Sequence, residues 1–162
     1  MAKRKQRKRT SKDVPAKGRL RAIADQLWSI GVRTDWNWRC AVCGSMPVEA
    51  HHVIKRQHET HRYNIRNGIA LCTTHHKYGR DVCAHGDPAE WMLWLEDNQP
   101  ELHRWYVETT KNGEYKRFDG TTNAIYLCDT IRRLKQYVPD DDYVRIVGQK
   151  FSQWLEQQGD SK

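Results

Sequence analysis

Cysteine and histidine residues are concentrated in one short part of this chain, and their clustering constrains the fold more than any other feature. Four of the five cysteines and seven of the eight histidines lie between residues 40 and 85 of 162. The chain opens with a charged block that no apolar stretch follows, so we expect a reducing, intracellular setting in which disulfides are rare. Metal ligation is then the leading explanation for the cysteines.

Two pairs of ligand residues with matched spacing predict a structural zinc site. Cys40 and Cys43 are two residues apart and are followed by Gly44, which lets the backbone turn tightly enough for both sulfurs to reach one ion. Cys72 and His75 repeat the spacing, and four such ligands close a tetrahedral site. We therefore predict a Cys3His zinc ribbon. The alternative is a set of buried thiols unrelated to metal.

Two adjacent histidines, His51 and His52, lie outside the predicted zinc site in a strand-like stretch. Successive side chains of a strand point to opposite faces, so these imidazoles diverge unless a bulge separates them. In such a pair one imidazole can bind a metal while the other acts as a base. The alternative is that either one is a purely structural histidine. Hydrolysis of a phosphodiester needs a base that activates water near neutral pH and a metal that stabilises the charge developing on the leaving oxygen.

The order of these residues resembles the HNH endonuclease family. The resemblance covers about 40 of the 162 residues and rests on four motifs: Cys40-x2-Cys43, His51-His52-Val53-Ile54, Asn67-Gly68-Ile69-Ala70-Leu71-Cys72 and Cys72-x2-His75-His76. It implies an α+β fold in which a ββα-metal finger carries the structural zinc and is packed with several flanking helices. It also implies one catalytic divalent metal, which would be Mg, Mn, Ni or Zn.

The resemblance assigns catalytic roles to four residues. His52 aligns with the general base, and His51 aligns with the metal ligand beside it. Asn67 aligns with the central asparagine, which in the family braces the loop that carries the base, and Asn64 is a rival for that role. His76 aligns with the final metal-binding histidine on the helix.

The sequence departs from the family pattern at two positions. His75 stands where the zinc-bearing members usually have cysteine, which leaves open whether His75 or His76 faces the zinc. His51 stands where aspartate is frequent, and an imidazole ligand tolerates transition metals better than a carboxylate does. Cys83 and His85, just downstream, are spare candidates for ligands, although a cysteine is commonly just buried. The surrounding layout resembles, more weakly, small nucleases of phages and mobile elements.

The charge distribution predicts contact with a phosphate backbone. Residues 1–21 carry ten lysines or arginines and one acid, and residues 33–80 carry eight bases and three acids, whereas residues 81–162 are acidic overall. Neutralised phosphates release counterions, which favours binding of basic segments to DNA. The alternative is a solvated tail. The residues predicted to bind phosphate are Lys3, Arg4, Lys5, Arg7, Lys8, Arg9, Lys55, Arg56, Arg62 and Arg66.

The chain is predicted to consist of a disordered basic arm at 1–17, an N-terminal helix at 18–35, an HNH core with the zinc ribbon at 36–86 and a helical region at 87–162. Apolar residues at helical spacing indicate the first helix, with Gly31 as its C-terminal cap. Two short strands are predicted within 48–54 and 65–71. Further helices are expected to begin at Pro88 and Pro100 and to span roughly 122–137 and 141–157.

We predict from these patterns a metal-dependent DNA endonuclease with a histidine base. A zinc-ribbon protein that binds nucleic acid without cutting it is the alternative, but it would not require His51, His52, Asn67 and His76 together. A structural protein with a basic tail explains even less. No apolar run of eighteen residues occurs, so we expect a cytoplasmic protein without a membrane partner, in the host cytoplasm if it is phage-encoded. The sequence leaves a homodimer open.

Overall fold

A small antiparallel sheet with helices packed around it forms the centre of the protein in a computed structural model. The structure describes residues 14–113 and 123–159. Within them, two strands and six α-helices follow in the order α1 (Lys17–Asp35), β1 (Glu49–His52), β2 (Gly68–Leu71), α2 (Pro88–Asn98), α3 (Pro100–Lys111), α4 (Ala124–Leu134), α5 (Asp140–Val147) and α6 (Gln149–Gly159). The predicted α+β class, with two strands and flanking helices, is confirmed.

Helix α1 covers nearly the range predicted for it, 18–35, but it does not end at the predicted cap. It begins at Lys17 and continues through Gly31 to Asp35, so the prediction that Gly31 caps the helix is wrong. Glycine is needed there for close packing, because a Cβ at this position would lie 2.8 Å from Ile65 Cδ1 and 3.1 Å from Tyr137 Cβ. The absence of a side chain therefore lets two other segments approach the helix.

The larger of two hydrophobic cores lies between α1 and the C-terminal helices. The buried residues of this first core include Leu20, Ile23, Leu27, Trp28, Leu127, Ile131, Tyr143, Val147, Phe151 and Leu155. The C-terminal helix predicted at 141–157 is in fact two helices, since Gly148 interrupts it with a φ of 87°. That left-handed conformation favours glycine and lets both α5 and α6 turn their apolar faces inward.

The smaller core lies on the other side of the sheet. This second core is formed by Cys40, Val48, Ile69, Leu71, Trp91, Leu95 and their neighbours. Trp36 packs against both cores, and its Nε1 donates a hydrogen bond to the carbonyl oxygen of Gly68 at 3.2 Å. Helix α2 begins where the sequence predicted, with the Asp87 carboxylate accepting from the amides of Ala89 and Glu90.

The sheet places adjacent side chains of β1 toward different cores. Its register pairs Glu49 with Leu71 and His52 with Gly68. His51 lies edge-on to Trp91 of the second core, whereas His52 stacks on Trp28 of the first. The two-residue period of a strand therefore separates the two imidazoles onto opposite faces.

The third element of the finger is a short, wide turn of helix at Thr74–Tyr78. The amide of Gly79 donates to the carbonyl oxygen of Thr74 at 2.7 Å, five residues back, which is the hydrogen-bonding pattern of a π-helix. Such turns are frequent at functional sites. Among the helices of the described ranges, none is both long enough and apolar enough to cross a bilayer.

Substitution of Gly68 tests the contact between the sheet and α1, since a Cβ there would overlap the side chain of Val32. We expect Gly68→Ala to destabilise the protein by about 1–3 kcal/mol, the usual cost of overpacking, and Val32→Ala to relieve part of that loss in the double variant. Gly18→Ala is the matched control, because no atom lies within 4 Å of a Cβ at that site. Thermal melts that show equal stability for Gly68→Ala and Gly18→Ala would contradict this packing.

Candidate functional site

The four residues predicted to bind structural zinc lie together. The ligand atoms of Cys40, Cys43, Cys72 and His75 are all within 4.8 Å of one another. The His75 Nδ1 atom is 3.2 Å from Cys72 Sγ and 3.5 Å from Cys40 Sγ, and the sulfurs of Cys43 and Cys72 are 3.9 Å apart. Three thiols and one imidazole at these separations could hold a zinc ion. We call this set the thiolate group.

Local backbone geometry explains how the thiolate group forms. A φ of 71° at Gly44 turns the chain, and the amide of Cys40 closes the loop by donating to the carbonyl oxygen of Ser45. The amide of Ala41 donates to the carbonyl oxygen of Ala70, which ties the loop to β2. Cys72 follows directly after β2, so the strand delivers the second pair of ligands to the first.

The chemistry of Cys72 suits metal binding. Burial acts to raise the pKa of its thiol, but hydrogen bonds from the His75 backbone and from the side chains of Ser45, His75 and Cys40 outweigh burial and lower the pKa to about 6. A thiol with this pKa is largely deprotonated at neutral pH, and the thiolate is the form that binds metal.

A second group of potential ligands consists of three histidines. The ligand atoms of His51, His76 and His85 lie within 4.8 Å of one another, and their ring centroids are 4.9–5.1 Å apart. His51 comes from β1, His76 from the wide turn and His85 from the loop after it. We call this set the imidazole group. The structure thus puts His75 in one group and His76 in the other.

The loop that follows the wide turn brings His85 into the imidazole group. It folds back along the turn, with the amide of Ala84 donating to the carbonyl oxygen of His75 at 2.9 Å and the amide of His85 donating to that of His76 at 3.2 Å. Sequence reasoning treated His85 only as a spare ligand. Cys83, its equal as a candidate, belongs to neither group and is buried with its sulfur accepting from the amide of Gly86.

Glu49 contacts the imidazole group, and the sequence reasoning did not single it out. Its Oε2 atom is 2.6 Å from His76 Nδ1, and Lys77 Nζ lies 2.7 Å from the same oxygen. Hydrogen bonds from Lys77 and His76 lower the pKa of the carboxyl group, against a small effect of burial. With Nδ1 occupied, His76 has only Nε2 left for a metal. The sequence could have indicated that Glu49 lies near the imidazole group, since Glu49 and His51 are two residues apart and share a face of β1.

His51 is held as a neutral imidazole. Burial, helped by the positive charge that His76, His85 and His52 would carry, lowers its pKa to about 3. A histidine must be neutral to bind a metal, so no proton has to leave His51 at physiological pH.

His52 lies on the opposite face of β1 in a restrained position. Its ring stacks on Trp28 with 3.5 Å between centroids and an interplanar angle of 10°. His52 Nε2 is 2.9 Å from the carbonyl oxygen of Arg62, which can only accept, so Nε2 carries the proton and Nδ1 keeps a lone pair. Burial, reinforced by the charges of Arg62 and Arg56, lowers the pKa of His52 to about 4.

Asn67 holds both ends of the loop that follows His52. It is fully buried, its Oδ1 accepts from the amide of Ile54 at 2.7 Å, and its Nδ2 donates to the carbonyl oxygens of Ile54 and His61 at 2.9 and 3.0 Å. Asn64, the rival, is exposed and uses its side chain to accept from the amide of Arg66. The bracing contacts are therefore made by Asn67.

The residues predicted to bind phosphate differ in their surroundings. Lys55, Arg56 and Arg66 are exposed, and the Arg66 guanidinium lies 5.7 Å from the Trp105 ring centroid. Arg62 is only 11% exposed and forms two hydrogen bonds with the Asp25 carboxylate, so its geometry does not support a phosphate contact. Six further predicted residues lie outside the described residues: Lys3, Arg4, Lys5, Arg7, Lys8 and Arg9.

The division between His75 and His76 can be tested by metal content and stability. We expect His75→Ala to lose tightly bound zinc and to melt at lower temperature, because a structural zinc site contributes directly to folding free energy. His76→Ala should retain one zinc per chain after dialysis against a weak chelator and should melt close to the wild type. If His76→Ala lost that zinc instead, the two histidines would have exchanged roles.

Comparisons with known proteins agree with this geometry. The family model described as HNH endonuclease matches residues 40–78, about a quarter of the chain. No curated protein and no solved structure matched the chain. The matched segment contains the thiolate group, His51, His52, Asn67 and His76, whereas α1 and His85 lie outside it. Over this segment the chain is similar to the HNH endonuclease family.

Proposed function

We propose that the chain is a metal-dependent DNA endonuclease that hydrolyses phosphodiester bonds by the HNH mechanism, with His52 as the general base. The observation that carries the proposal is the pair of neighbouring imidazoles at the end of β1. His51 belongs to a group of three histidines, and His52 is fixed on the other face with a free Nδ1. A phosphodiester at the end of this strand would have the metal on one side and the base on the other.

The imidazole group holds the catalytic metal in this proposal. Three histidines with one open position are typical of catalytic zinc sites, and imidazole also suits nickel, whereas magnesium and manganese favour oxygen ligands. Of the predicted metals, we therefore expect zinc or nickel to support cleavage best. When bound, the metal polarises the scissile phosphate and stabilises the charge that develops on the leaving oxygen. Glu49 orients His76 for this purpose through its hydrogen bond to Nδ1.

His52 accepts the proton of the attacking water at Nδ1. Its low pKa keeps the ring neutral, with Nδ1 unprotonated, throughout the physiological range. The stacked Trp28 ring and the Arg62 carbonyl oxygen fix the orientation of the imidazole. Asn67 braces the loop that follows, which is the function of the central asparagine that the family resemblance implies.

Positive charge next to the imidazole group supports DNA as the substrate. The pKa of His85 is lowered by burial, by His76 and then by Lys77 and Lys55, so both lysines lie near this histidine. In this proposal the exposed Lys55, Arg56 and Arg66 bind phosphates, together with the basic arm at residues 1–17. Arg62 is left out of this set because Asp25 already binds its guanidinium.

A zinc-ribbon protein that binds nucleic acid without cutting it remains the second hypothesis, but no observation favours it. Such a protein would need the thiolate group alone. It would give no reason for three histidines to converge beside β1 or for Glu49 to orient one of them.

Replacement of the base tests the proposed function. We expect His52→Ala to slow the cleavage of supercoiled plasmid by about 10²- to 10⁴-fold, the usual contribution of a general base, while zinc content and DNA affinity stay near wild type. His103→Ala is the matched control, because His103 lies on α3 outside both metal groups. Cleavage by His52→Ala at the wild-type rate, measured with zinc, nickel, manganese and magnesium in turn, would refute the assignment of the base.

A further inference from the structure

Helix α1 lies outside the segment that matches the HNH family, yet it contacts the proposed base directly. The Trp28 indole covers one face of the His52 imidazole with the rings nearly parallel. Its Nε1 donates to the carbonyl oxygen of Asn64 at 2.9 Å, so the indole is itself fixed against the loop that follows the base. Tryptophan in this position restricts rotation of the imidazole.

A second contact from α1 reaches the base through Arg62. The Nε and Nη2 atoms of Arg62 donate to the two carboxylate oxygens of Asp25 at 2.9 and 2.7 Å. Paired hydrogen bonds of this kind fix the plane of the guanidinium as well as its position. Asp25 and Arg62 are 37 residues apart, so the pair joins the loop to a different element of the fold.

The backbone of Arg62 then determines the state of the base. Its carbonyl oxygen accepts the proton of His52 Nε2, and a second bond from Arg62 Nη1 to the carbonyl oxygen of Arg56 holds the loop in shape. If the carbonyl oxygen moved away, the imidazole proton could reside on either nitrogen. Only the form with the proton on Nε2 leaves Nδ1 able to accept a proton.

We propose that Asp25 is a positioning residue for the general base, acting through Arg62 to hold His52 with its proton on Nε2. This inference rests on the proposed function, because it takes His52 as the base. It goes beyond that function by making α1, which the family match does not include, part of the catalytic machinery. Arg62, predicted from sequence to bind phosphate, contributes to catalysis from within the protein.

Two measurements on the full-length, zinc-loaded protein test the proposal. The first is the position of the His52 ring proton, read from nitrogen-15 correlation spectra of histidine-labelled protein, with the signal of His52 identified by its loss in His52→Ala. The second is the rate of DNA cleavage under saturating substrate, with kcat and KM determined separately. The variants are Asp25→Asn, which keeps the shape but removes the charge, Asp25→Glu, which restores a carboxylate, and Arg62→Gln.

The matched control is Asp142→Asn. Asp142 also pairs with an arginine at 2.7 Å, and its side chain is 34% exposed compared with 38% for Asp25, but it lies on α5 and its arginine partner, Arg145, does not contact the base. Any change of kcat or of the His52 signal in Asp142→Asn therefore measures the effect of removing a surface carboxylate that is not linked to the base.

We expect Asp25→Asn to lower kcat by about 10- to 100-fold, as the loss of an orienting partner typically does, with little change in KM. Its His52 signal should show both neutral forms of the ring instead of one. Asp25→Glu should recover part of the loss. Asp25→Asn combined with Arg62→Gln should be no slower than Arg62→Gln alone, because Asp25 acts through Arg62. Asp142→Asn should behave as wild type in both measurements.

Several results would overturn the proposal. Asp25→Asn with unchanged kcat and a single ring form would show that Arg62 holds His52 without Asp25, and a rise in KM with unchanged kcat would assign Asp25 to DNA binding. If Asp25→Asn failed to fold, Asp25→Glu would decide by the same two readouts. If the wild type cut no substrate with any metal while Asp25→Asn still mixed the ring forms, the contact would stand and the proposed nuclease function would fail.

Discussion

The structure depends on one geometric constraint, the alternation of side chains along β1. Because His51 and His52 are consecutive, a strand must send them to opposite faces, and each face needs its own covering layer. The second core and the wide turn cover the His51 side, where the imidazole group forms. Helix α1 and the first core cover the His52 side. The proposed metal site and the proposed base are therefore built from different parts of the chain, although their central residues are neighbours.

Two strands of four residues are too few to be stable alone, so the sheet needs support from elsewhere. The thiolate group supplies part of it, because a metal held by Cys40, Cys43, Cys72 and His75 would join the loop before β1 to the residues after β2. Helix α1 supplies the rest by packing directly on β2, where Gly68 leaves room for Val32. The same helix carries Trp28 and Asp25, so the element that stabilises the sheet also restrains the proposed base, His52.

The parts of the site that could be predicted from the sequence are those in which local spacing reports geometry. The matched pairs at 40–43 and 72–75 predicted the thiolate group, and the adjacent histidines predicted two faces of one strand. The remaining features depend on the fold. His85 joins the imidazole group only because its loop folds back along the wide turn. The sequence predicted a phosphate contact for Arg62 because it does not show that Asp25, 37 residues away, binds the guanidinium. Gly31 was misread as a cap because nothing local indicates that two other segments pack against it.

In the proposed enzyme the three histidines around β1 hold the metal that cleavage requires, and His85 is the one of them that the family match does not include. The measurement is the rate of plasmid cleavage against metal concentration for the wild type and His85→Ala, both carrying one tightly bound zinc. We expect the half-maximal metal concentration of His85→Ala to rise at least about tenfold, since even outer partners of a ligand contribute that much. Identical metal dependence of the two proteins would show that the three histidines do not hold the metal used in cleavage.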